Sequence, residues 1–174
     1  MRLKYVLLLT SLLWGGLLSP LSAATPSRVR SLTGIPALHV LVEDFNAATQ
    51  KIGLQKNQLQ TLAETYLIQH GVKVSHDEHS VPAVYIRLSA VVGSDHSHAP
   101  ISFYLTVEVK QFAHLAPASG AVPTAVSTEP PLLVSTWEDG TMAMLDRSEL
   151  EFYVNQILTN LLDELVQEYQ DANQ

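Results

Sequence analysis

The 174-residue chain contains no cysteine. That absence excludes disulfides, thiolate nucleophiles, cysteine-ligated zinc and a lipid-modified N-terminal cysteine together. Basic residues are also scarce: 10 Lys and Arg stand against 17 Asp and Glu, for a net charge of −7. Neutralising a phosphate backbone requires clustered cations, so nucleic acid is not an expected partner. Catalytic signatures are missing as well. There is no Gly-x-Ser-x-Gly elbow, no phosphate-binding glycine loop, no His-Glu-x-x-His and no dinucleotide fingerprint.

What is present begins with a leader. Arg2 and Lys4 form a short positive region, 5–18 is an apolar run, and Ser22, Ala23 and Ala24 supply small side chains for a cleavage site. Gly15, Gly16 and Pro20 interrupt the run, which falls short of the ~20 apolar residues of a membrane span. Residues 1–24 are therefore read as a secretory signal peptide cut after Ala24. Its removal takes away Arg2 and Lys4 and no acid, which moves the charge from −7 to −9. A cysteine-free exported chain without a membrane anchor points to the bacterial periplasm or to secretion, because oxidising extracellular settings usually exploit disulfides.

After the leader, 25–34 is polar and carries Arg28 and Arg30, and reads as a flexible lead-in to one domain over 35–174. Leu38, Val40 and Val42 belong to a short apolar strand, and 44–53 reads as a loop. Leu59, Leu62, Ala63, Tyr66 and Leu67 recur at helical spacing over 56–70, with Gly71 placed for a left-handed cap. Residues 72–74 suggest a second short strand. Val84, Ile86, Leu88, Ala90 and Val92 then alternate with polar neighbours, as do Phe103, Leu105, Val107 and Val109. Each run reads as a strand with one face on a core and one in water.

The segment 113–131, with four prolines among small residues, reads as a mobile excursion. Residues 132–137 return as a strand, and Glu138, Asp139 and Gly140 signal a turn. Ser148 and Glu151 have capping-box spacing, and an apolar stripe from Leu150 to Leu165 follows. The sum is an α+β fold: a two-layer α/β sandwich, with two helices on one face of a mostly antiparallel sheet of four to five strands. The other sheet face is left open.

That open face supplies the main candidate site: Tyr85, Arg87, Tyr104, Thr106, Glu108 and Lys110, joined by Trp137. Tyr and Arg are favoured recognition anchors, and a turn near 96–97 would set Arg87 opposite Thr106 or Glu108. Histidine supplies the other candidate. His76 and His79 precede the 83–92 strand, and His96 and His98 follow it. About 3.3 Å per residue separates the two clusters by roughly 30 Å, so they cannot share a metal. Only His76, His79 and His114 lie toward one end, as a possible zinc or copper set.

The string from Leu38 to Val74, the alternating strands after it, Trp137 just before a glycine and the long final helix resemble small secreted bacterial α/β proteins. In outline they are similar to the compact α/β domains of envelope assembly factors. The resemblance implies a non-enzymatic periplasmic binding or adaptor module that meets an envelope protein through the open face. A small metal-binding protein is the second reading, and an enzyme with a dispersed site the third.

Overall fold

The computed structural model of the protein describes residues 26–77, 82–92, 100–114 and 130–174. Residues 1–25, 78–81 with His79, 93–99 and 115–129 lie outside the described residues, and with them the expected signal peptide, the expected turn and most of the expected excursion. The chain forms α1 (Pro26–Arg30), β1 (Leu38–Val42), α2 (Ala47–Lys51), α3 (Lys56–Gln69), β2 (Val74–Ser75), β3 (Ala83–Val92), β4 (Ile101–Ala113), β5 (Leu132–Leu145), a 3₁₀ turn (Arg147–Glu149) and α4 (Leu150–Ala172).

The class is α+β, a five-stranded sheet with four helices. The sheet order is β2-β1-β3-β4-β5. It is mixed and not mostly antiparallel, because β1 pairs parallel with both β2 and β3 while β3, β4 and β5 pair antiparallel. The cause is the crossover: α3 lies between β1 and β2 and brings the chain back in the same direction.

One core joins the elements. The apolar alternation of β3 and β4 buries Val84, Ile86 and Leu88 with Phe103, Leu105, Val107 and Val109. Leu59, Ala63 and Leu67 of α3 and Val154, Leu158, Leu162 and Leu165 of α4 belong to the same cluster. Helix α3 ends where expected: Gly71 takes a φ of 83°, a left-handed conformation costly for any residue with a Cβ.

Local expectations fail in four places, each for a physical reason. The lead-in is ordered: 26–30 is helical, and Leu32 is buried in the core. The 44–53 loop holds α2, started by Asn46, whose side chain accepts from the Thr49 N–H at 2.8 Å. Thr49 Oγ1 in turn accepts from the Ala90 N–H at 3.1 Å, closing the edge of β3 where β1 has already ended. Ser148 sits inside the 3₁₀ turn, so the capping box does not form and α4 starts without a side-chain cap. Glu138, Asp139 and Gly140 make no turn; they continue β5, opposite Glu108, Val107 and Thr106.

Candidate functional site

Strand register places the expected face residues together. Tyr85 lies opposite Glu108, Arg87 opposite Thr106, and Ser89 opposite Tyr104. Arg87 is the hub of the charged part. Its Nε donates to Glu43 Oε2 at 2.8 Å, and its Nη2 reaches Glu108 Oε1 at 3.2 Å, the cross-strand pair the sequence suggested. Lys110 Nζ lies 3.8 Å from Glu108 Oε2 and 3.6 Å from the centre of the Tyr85 ring. Burial, then the neighbouring Glu43 carboxylate, holds the Tyr85 phenol above its ordinary value of 10.

These side chains cover one another. Thr106 is fully buried and Glu108 only 5% exposed, although both belong to the face away from the core. Two carboxylates meet two cations, so the cluster is internally neutralised. A charged ligand would have to break the Arg87–Glu108 pair, leaving a buried charge without its partner. The centre of the face is a scaffold.

Exposed apolar side chains lie at both ends of the same face: Phe112, opposite Leu133, at one end, and a larger group spanning three strands at the other. Val91 is 68% exposed, Tyr104 41%, Met142 76% and Met144 66%. Tyr104 is opposite Met142, and Val91 and Met144 flank Ser102 in the next row, so the four are neighbours across three strands. Gly140 makes this arrangement possible. A Cβ there would lie 2.6 Å from Thr106 Cγ2 and 3.1 Å from the Tyr104 hydroxyl, so the tyrosine occupies the space the glycine leaves.

Trp137 does not share this face. It pairs with Val109 on the core side and is 1% exposed. A bulge is responsible: Val109 pairs with Trp137 but Lys110 pairs with Ser135, so Thr136 is skipped and the alternation of β5 shifts. Trp137 Nε1 donates to Glu168 Oε2 at 2.8 Å, and the Arg28 guanidinium sits 4.4 Å over its ring. Arg28 also faces Glu168 at 3.0 Å, Glu164 at 3.4 Å and Asp139 at 3.8 Å. This is how α1 is fastened to α4 and β5.

A hydrogen bond shared with Asp139, followed by burial, raises the Glu164 carboxyl above its ordinary 4.5. The folded chain thus holds that proton more tightly than the unfolded chain. The contribution of this group to stability is full with the proton on, falls as pH rises through 4.5, and is lost above the raised value. The variant Glu164→Gln should flatten that part of the stability profile. Urea denaturation across a pH series reads it; an unaltered slope contradicts the assignment.

The histidine trio fares differently. His76 follows β2 and His114 follows β4, both exposed, while His79 lies outside the described residues. Three strand spacings and four residues of β4 set Ser75, the neighbour of His76, on the order of 19 Å from His114. Among the described residues, no group of three His, Asp or Glu could hold a metal ion. Among the described residues the buried histidine is His39, whose Nδ1 lies 3.0 Å from the Ser75 carbonyl as its donor.

Sequence reasoning missed Glu43, Val91, Met142, Met144 and Gly140 as members of the face. The signal was available for the methionines, since Met142 and Met144 alternate with Thr141, Ala143 and Leu145 after Gly140. Among the described residues, no helix is long and apolar enough to cross a membrane. Comparison of the chain with protein-family models, with curated proteins and with solved structures finds no match.

Proposed function

We propose that the protein is a non-enzymatic binding module of the bacterial cell envelope, exported by its leader, that recognises an apolar surface on a protein partner. The contact uses the end of the sheet face formed by Val91, Tyr104, Met142 and Met144. One observation carries this reading: four large apolar side chains stand exposed as neighbours on three strands, next to charges that already satisfy each other. Contiguous exposed apolar area is expensive in a free protein and characteristic of contact surfaces, and methionine adapts its shape to a partner. A two-layer arrangement, with α3 and α4 together on the core side, makes the opposite face the one available.

Site-specific photo-crosslinking tests it. A photoreactive residue at Val91 should give a discrete adduct with another envelope protein, and one at Gln58 on α3 should not. Absence of any adduct from Val91, or equal adducts from both positions, overturns the reading.

A further inference from the structure

The outer edge of β5 carries a second surface. β5 is the last strand of the sheet, and over 136–140 its backbone is served from within the molecule. The Thr136 carbonyl accepts from Ser31 Oγ at 3.0 Å, and the Gly140 N–H donates to Asp139 Oδ1 at 2.6 Å. Among the described residues no such partner serves the edge over 141–145. The Gly140 N–H, turned to a side chain and not to β4, marks which residues face outward. By the alternation of an antiparallel ladder, Met142 and Met144 face outward too.

We infer that this edge pairs antiparallel with the same edge of a second copy, about a two-fold axis through Ala143. In that register Met142 of each copy exchanges backbone hydrogen bonds with Met144 of the other, and Thr141 lies opposite Leu145. Charge selects both the occupant and the register. The strand carries Glu138 and Asp139 on one side of Ala143; four residues to the other side, next to Asp146, stands the exposed Arg147, so the Asp139 carboxylate, which also meets Arg28 at 3.8 Å, approaches Arg147 of the second copy. A two-fold axis at 138 or 139 would instead set carboxylate against carboxylate, where α1 already lies against the strand.

An isologous contact of this kind closes on itself. It also removes an unpaired apolar edge, which a free chain otherwise exposes to uncontrolled pairing. The two sheets become continuous, and the two exposed apolar ends meet across the axis. The pairing goes beyond the partner reading and stands without it, since it is measured on the pure protein alone.

The test uses the chain expressed from residue 1 and purified as the cell leaves it. Sedimentation velocity over a concentration series should show a monomer–dimer equilibrium. The double variant Met142→Lys with Met144→Lys, at exposed positions, should lose the dimer while keeping its circular dichroism spectrum. The register is tested separately. The chain has no cysteine, so Ala143→Cys supplies one thiol, which should oxidise to a covalent dimer across the axis. Thr141→Cys, displaced from the axis, should not. A monomer at every concentration, a dimer undiminished by the two lysines, or equal cross-linking at both positions overturns the proposal.

Discussion

Replacing Trp137 by alanine is expected to destabilise the protein by about 3–5 kcal/mol, the range for emptying a fully buried aromatic site. The indole is 1% exposed, and three things depend on it. It fills the core beside Val109, it satisfies Glu168, and its ring carries the Arg28 guanidinium. Without the ring, α1 loses its seat and Arg28 is left to the carboxylates alone. Urea denaturation measures the loss, and faster tryptic cleavage after Arg28 or Arg30 in the native state reports release of α1. Trp137→Phe should recover part of the stability, because it keeps much of the volume but gives up the hydrogen bond to the Glu168 carboxylate, worth about 1.5–3 kcal/mol. A loss below ~1 kcal/mol for the alanine variant would contradict the role.

The second large effect runs against a common rule. Alanine in place of glycine normally stabilises a strand by roughly 0.5–1 kcal/mol. At Gly140 the sign should reverse. The new Cβ would meet Thr106 Cγ2 at 2.6 Å and the backbone carbonyl of Leu105 at 3.0 Å, and neither can withdraw easily. Overpacking of this kind costs about 1–3 kcal/mol. The Tyr104 hydroxyl, 3.1 Å from the same point, must move as well. Gly140→Ala combined with Tyr104→Ala should therefore cost less than the sum of the two single variants, a coupling that a double-mutant cycle reads directly. Additive costs would mean that Tyr104 does not lean on the glycine.

These two positions also mark what could be read from the chain and what could not. The strands β3 and β4 were legible because each apolar residue recurs at every second position for the full length, and a slip by one would turn the whole set to water. The Arg87–Glu108 pair followed from that alternation and from the turn expected near 96–97. Helix α3 was legible from its spacing and Gly71. Trp137 was assigned to the wrong face because one skipped residue, Thr136, shifts the alternation, and nothing in a strand sequence announces a bulge. Gly140 read as a turn because acid-acid-glycine is turn chemistry. The tyrosine that occupies its missing side chain is 36 residues away in sequence.

The candidate face was legible in membership and not in role. Tyr85, Arg87, Glu108 and Lys110 are where the alternation put them, yet they neutralise each other with help from Glu43, which sits just past the end of β1. Local pattern ranks charged and aromatic residues as anchors. Only the three-dimensional neighbours decide whether an anchor is already occupied, which is why the proposed contact uses Val91, Tyr104, Met142 and Met144 instead.

The most direct test of that conclusion is co-purification from the envelope fraction of the native host, comparing the parent chain with a Ser89→Glu, Val91→Glu variant. Both changes lie on β3, away from the edge of β5, two and four residues from Arg87 along the same face, and place charge on the apolar end. The account predicts that the parent retains a partner in fixed proportion and that the variant loses it with its urea midpoint unchanged. Retention of the same partner in the same proportion by the variant would contradict it.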